Sequence, residues 1–197
     1  MQMTSSIAVP THDEAIVATR SWIEQIVIGL NLCPFAKIVY DKDQIRYVVS
    51  AAKTSIELLD DLERELRMLA KAAPEKVDTA LLIHPQVLIE FLDYNDFLDV
   101  ADEAVERIGL AGVIQIASFH PEYQFAGTAL DDVTNYTNRS PYPMLHLLRE
   151  ASIDLAVAAF PETREIYEKN LQTMRRVGVG GLAALGLGGP GKRKPSP

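Results

Sequence analysis

The sequence predicts an α/β fold: a single domain on a small, three- to four-stranded, mostly parallel sheet with βαβ crossovers and additional N- and C-terminal helices. Three observations carry that expectation. Apolar runs at residues 45–50, 79–83 and 113–119 have the length and the turn-rich boundaries of strands. Stretches of helical periodicity, from Thr54 to before Pro74 and from Val87 to Ile108, separate them, and strand–helix–strand alternation is the signature of a parallel sheet. The chain has 197 residues, 48% of them hydrophobic, so it can bury a core without disulfide or metal.

Thr11 and Glu14 form a capping box, and Ile16, Thr19, Trp22, Ile23, Ile26, Val27 and Leu30 follow at helical spacing. That helix should stop near Gly29–Asn31. Residues 35–40 and 45–50 flank Asp41-Lys42-Asp43 and read as a hairpin, which would make the sheet mixed and four-stranded. Thr54 and Glu57 form a second capping box before Leu58, Leu59, Leu62, Leu66 and Leu69. Thr79–Ile83 is a buried strand. The helix from Val87 to Ile108 carries a break near Tyr94–Asn95, and Gly109 caps its end. Val113–Phe119 is the third strand.

Residues 120–140 are polar and aromatic without a sustained period, and read as loop. Ser140 before Pro141 resembles an N-cap followed by proline at the first helical position, so a helix is expected next. On it, Tyr142, His146 and Arg149 share one face, opposite Met144, Leu145 and Leu148. A further short helix starts at Ser152 or continues that one. The last runs from Pro161 to Val177, with Leu171 and Met174 inward and Gly178 past its end. The domain is expected to span residues 11–185, with 182–187 apolar enough to pack locally. Residues 1–10, and the Gly/Pro-rich, basic 186–197, are expected to be disordered.

Charge narrows the partners. Lys plus Arg number 19 against 27 Asp plus Glu, a net −8, and Lys192, Arg193 and Lys194 lie in the tail, leaving the rest more acidic still. Such a surface repels phosphate backbones, so no nucleic-acid partner is expected. The single cysteine, Cys33, excludes an intrachain disulfide. No apolar run approaches the roughly 20 residues that span a bilayer, and residues 1–10 lack a signal-peptide pattern. The expectation is a soluble, cytoplasmic protein without a membrane partner.

Ligands of open α/β sheets bind beyond the carboxyl ends of the parallel strands. His84 and His120 end two strands, each before a proline, and His120 is the first candidate for general acid or base. Either could instead cap its strand. Asn138, Arg139 and Ser140 lie in the densest polar cluster. A helix N-terminus after Ser140 beside the Arg139 guanidinium would suit a carboxylate or phosphate. His146 and Tyr142 could pair with His120 across a cleft, with Arg149 and His84 contributing to binding, or the stripe could be a solvated face. Cys33 is a candidate nucleophile, although free cysteines are usually small buried hydrophobes. No HxH, HExxH or CxxC spacing marks a metal site, and Gly178-Val179-Gly180-Gly181 follows a helix, the wrong context for a nucleotide fingerprint.

Three segments resemble a known family: Asn31-Leu32-Cys33-Pro34-Phe35-Ala36, Phe119-His120-Pro121, and Thr137-Asn138-Arg139-Ser140-Pro141-Tyr142-Pro143 running into His146-Leu147-Leu148-Arg149-Glu150. The family is domain of unknown function 1415, mainly bacterial, and the resemblance covers residues 11 to 178. It implies no activity, substrate or cofactor. Its motifs coincide with the polar residues above, which implies that Cys33, His120, Arg139, Tyr142 and His146 converge on one site. Three functions stay open. The first is an enzyme acting on a small anionic metabolite by acid/base or thiol chemistry, without a nucleotide cofactor. The second is a non-catalytic metabolite-binding module or protein-partner adaptor, its aromatics Tyr123, Phe125, Tyr136 and Tyr142 exposed for contact. The third is a metal-binding protein with His and Cys ligands. Substrate, reaction and oligomeric state are not written in the sequence.

Overall fold

A computed structural model describes residues 9–159 and 166–187. The expected capping box at Thr11 opens α1 (His12–Trp22), which widens into a π-helical segment, Ile23–Ile28. Gly29 follows it, at a position that requires glycine because a Cβ there would stand 2.3 Å from the Gln25 carbonyl oxygen. The chain then forms α2 (Ala36–Asp41), β1 (Ile45–Val49), α3 (Ser55–Lys71), β2 (Thr79–Ile83), α4 (Phe91–Arg107) and β3 (Ile114–Phe119). A 3-10 turn at Val133–Thr137 precedes β4 (Met144–Arg149), α5 (Glu150–Ala159) and α6 (Ile166–Ala184).

The four strands lie in the order β1-β2-β4-β3. β1 and β2 are parallel, whereas β4 is antiparallel to both β2 and β3. The sheet is therefore mixed, not mostly parallel, and the cause is a single element. Residues 144–149, expected as a helix behind Ser140, form the strand that fills the gap between β2 and β3. Helix propensities differ by less than about 1 kcal/mol per residue. A strand at this place satisfies the open edges of both neighbours and buries apolar side chains on both faces, which outweighs the local signal.

Three smaller expectations fail for comparable reasons. Phe35–Tyr40 does not pair in a hairpin, because residues 36–41 are helical. No break occurs at Tyr94–Asn95: α4 is continuous and Tyr94 is fully buried, its hydroxyl donating to Met144 O at 2.8 Å and accepting from Phe119 N at 3.0 Å. Gly178 does not end the last helix but kinks it, with φ 64° and ψ 172°, and the helix resumes to bury Leu182. The expected cap at Gly109 is present, at φ 75°. The expected start of the last helix at Pro161 and most of both expected tails lie outside the described residues.

Alternation along the strands divides the core. Val48, Ala80, Leu82, Leu145 and Leu147 face α3 and α4. Leu81, Ile83 and Met144 face Trp22, Ile23 and Ile26 at the N-terminal end and Met174 and Leu182 of α6. Arg149 ends β4 on the α3 side, and its Nη2 lies 2.5 Å from Leu69 O, 2.6 Å from Ala72 O and 3.2 Å from Val77 O. One amino group thus serves three carbonyls, two of them at the C-terminal end of α3, where a cation also complements the helix dipole. No helix among the described residues is long and apolar enough to cross a membrane.

Replacing Arg149 by Met should cost about 2–4 kcal/mol in urea unfolding, because buried carbonyls lose a charged donor. A loss below about 0.5 kcal/mol, typical of surface positions, would show that this contact does not tie β4 to α3.

Candidate functional site

A cavity of about 340 Å³ opens on the second face of the sheet. Its floor is Thr79 and Leu81 of β2, Ala117 and Phe119 of β3, and His146 and Leu148 of β4. Trp22, Ile23 and Val27 close one side, Cys33, Phe35, Ala36 and Val39 another, and Ser152, Ile153 and Ala156 of α5 a third. Ile45, Asp78 and Thr79, at the beginnings of β1 and β2, also line it. The cavity therefore lies toward the amino ends of β1 and β2 and meets a carboxyl end, where the strand-end rule looks for ligands, only at Phe119 of β3.

Of the candidate residues, the cavity brings together Cys33, His146 and Arg149. His146 projects onto the cavity face because it pairs opposite Leu81 and Ala117, within the alternation of β4. Its Nε2 is 2.7 Å from Thr79 Oγ1, and that hydroxyl donates its one hydrogen to Leu147 O at 2.6 Å. Thr79 must therefore accept, so Nε2 of His146 carries the proton and Nδ1 keeps a free lone pair. No hydrogen bond reaches Nδ1 among the described residues. Burial pushes the His146 pKa down to about 4, so the ring is neutral near pH 7 and presents an acceptor.

Burial pushes the Cys33 thiol up, only partly offset by the Phe35 and Ala36 N–H groups. The thiol form therefore dominates near pH 7, which weakens a nucleophilic role. Ser152 Oγ donates to Asp78 Oδ1 at 2.6 Å, tying α5 to the start of β2 at the cavity margin. Arg149 contributes to the lining, but its Nη2 is spent on the carbonyls described above.

The other candidates stand elsewhere. His84 and His120 are fully buried at the carboxyl ends of β2 and β3, on either side of Tyr94, with ring centroids 5.8 and 5.0 Å from it. His84 Nδ1 donates to Val87 O at 2.9 Å, and its buried Nε2 has no partner. His120 accepts from Glu122 N at Nδ1 and donates from Nε2 to Leu88 O. Both brace the loop before α4, in which Leu88 has a φ of 54°. Arg139 is 3% exposed, donating to Tyr123 O and Leu130 O and lying 4.5 Å over the Tyr136 ring. Asn138 donates to Ser118 O and Ser140 to Tyr142 O. The helix N-terminus expected after Ser140 does not exist, since β4 follows. Tyr142 is half-buried in the core of the second face. The five motif residues are thus divided among separate places in the fold.

The family described as "Protein of unknown function (DUF1415)" matches residues 14–184. The chain belongs to this family. No curated protein and no solved structure matches it. Within this DUF1415 chain, the aromatics of the 120–140 loop are packed rather than displayed. Tyr123 packs tilted against Phe91 and edge-on against Phe125, Phe125 meets Tyr167 of α6, and Tyr136 is 3% exposed. No group of three or more His, Cys, Asp or Glu side chains among the described residues is placed to hold a metal ion. Sequence reasoning missed Thr79, Asp78, Trp22 and Ser152. Thr79 alone carried a signal, as a hydroxyl at the head of an otherwise apolar buried run.

His84, His120 and His146 are each pushed by burial to about 4, below the value near 6.5 of an unfolded histidine. The unfolded chain then binds more protons between these values, so stability is full above about pH 6.5 and falls as the pH drops toward 4. Urea unfolding between pH 7 and 5 should lose stability at up to about 1.4 kcal/mol per pH unit for each histidine. A profile flat over that range would show that these rings are not held neutral.

Proposed function

We propose that this protein binds a small, largely apolar molecule in the cavity between the sheet, the N-terminal helices and α5. The observation that carries this reading is the cavity itself. Its volume of about 340 Å³ falls within the range of small-molecule sites, and apolar walls with a few polar groups are the usual composition of such sites. An anionic ligand has less support. Arg139 directs Nε and Nη2 to backbone carbonyls, and the one carboxyl group in the cavity lining, Asp78, would repel an anion. A protein-adaptor role through the loop aromatics is likewise weakened by their packing.

A catalytic version of the reading has one observation in its favour, the presence of Cys33 and His146 in the same wall. His146 offers a basic lone pair, but the raised thiol pKa gives Cys33 little thiolate to contribute near neutral pH. Binding is therefore the reading the geometry favours.

N-Phenyl-1-naphthylamine, a neutral dye that brightens in apolar surroundings, should bind the wild type with a saturable rise in fluorescence. Ala117→Leu, which places three more carbons on the cavity floor, should weaken that binding at least tenfold while leaving the far-UV circular dichroism unchanged. Equal binding by wild type and variant would place the dye elsewhere, and no binding by the wild type would refute the reading.

A further inference from the structure

We propose that the occupant of the cavity is a neutral molecule about the size of two fused rings that carries a single hydrogen-bond donor, received by Nδ1 of His146. This rests on the reading of the cavity as a ligand site and adds the chemical class of the ligand. Size follows from volume: an apolar cavity of about 150 Å³ takes one benzene ring, and this one is roughly twice as large.

The donor requirement follows from a chain of hydrogen bonds with only one solution. The Leu147 carbonyl can only accept, so the Thr79 hydroxyl points its hydrogen there at 2.6 Å. Its oxygen then receives Nε2–H of His146 at 2.7 Å. The imidazole is left with a lone pair at Nδ1 that no described residue meets. An acceptor in an apolar wall is costly to cover without a donor, so a ligand that brings one gains over an otherwise similar ligand that does not. A ligand acceptor, such as a carboxylate or ether oxygen, would face that lone pair unfavourably.

The other polar groups of the wall do not change this preference. Ser152 Oγ donates to Asp78 Oδ1 at the cavity margin, where the carboxylate, an acceptor itself, also favours a donor over an anion, and the Arg149 amino group serves its three carbonyls. The Trp22 indole N–H and the Arg149 Nε–H are sealed in the protein without a partner and offer the cavity no accessible donor. His146 is therefore where a polar group of the ligand is recognised, and the remainder of the ligand meets carbon.

The test compares four probes by calorimetry with the wild-type chain at pH 7: 2-naphthol, naphthalene, 2-methoxynaphthalene and 2-naphthoate. Naphthalene is smaller than 2-naphthol and 2-methoxynaphthalene larger, so together they bracket it in size while lacking a donor. The expected result is binding of 2-naphthol about tenfold tighter than either, the worth of one net hydrogen bond. 2-Naphthoate should be the weakest of the four. The ¹⁵N resonance of His146 Nδ1 should move on addition of 2-naphthol and stay in place with naphthalene. In His146→Phe, which keeps the ring and leaves Thr79 bonded to Leu147, the three neutral probes should bind alike. If the wild type binds the three neutral probes equally, donor recognition is wrong while the cavity reading stands. Tightest binding by 2-naphthoate would overturn the inference in favour of an anion site. If none of the four binds and the naphthylamine dye is also silent, the cavity reading falls with it. The wild-type series decides the matter even if the variant does not fold.

Discussion

Strand β4 is hydrogen-bonded along both edges and packed on both faces, and the rest of the molecule is arranged around that constraint. A central strand offers its polar side chains little access to water, so each must find a partner inside the protein. At its end, Arg149 donates to the Leu69 and Ala72 carbonyls at the C-terminal end of α3 and fastens the helix layer to the sheet. In its middle, His146 finds Thr79 of the neighbouring strand, and the requirement to satisfy one hydroxyl decides which ring nitrogen bears the proton. The property that makes the cavity more than a packing defect is thus a by-product of inserting β4 antiparallel between β2 and β3.

The three buried histidines show how the same residue type is put to different uses by its neighbours. His84 and His120 flank Tyr94 at one end of the sheet, where Tyr94 also bridges Met144 and Phe119. Their hydrogen bonds run to the loop carrying the strained Leu88, so they hold a turn in a conformation that leucine alone disfavours. His146 lies away from that end and has only Thr79 to bond. His120 is bonded at both ring nitrogens and His84 at Nδ1, all to backbone groups, whereas His146 keeps a lone pair in a cavity wall.

Arg139 illustrates the difference between a residue that is specific and one that is available. It lies in the densest polar segment of the sequence, and in the structure it is among the most thoroughly engaged side chains. It gathers Tyr123, Leu130 and Tyr136 into one loop, which in turn packs against α4 and α6. A long segment without regular structure must place its backbone carbonyls somewhere, and a buried guanidinium with several donors meets that need.

The sequence by itself determined the elements whose signals are local. The capping boxes at Thr11–Glu14 and Thr54–Glu57, the apolar stripe of α3, the three strands that share one direction and the Gly109 cap all depend on residues within a few positions of one another. Only the tertiary structure decided what residues 144–149 would be, because a helix or a strand suits their pattern and the choice depends on two open sheet edges more than 20 residues away in the chain. That same choice turned the Arg149 guanidinium toward α3, removed the helix N-terminus expected beside Arg139, and set the tautomer of His146 through Thr79, 67 residues distant. Local interactions can be read along a chain, whereas a site assembled from strands, helices and a hydroxyl proton becomes legible only once the sheet has brought them together.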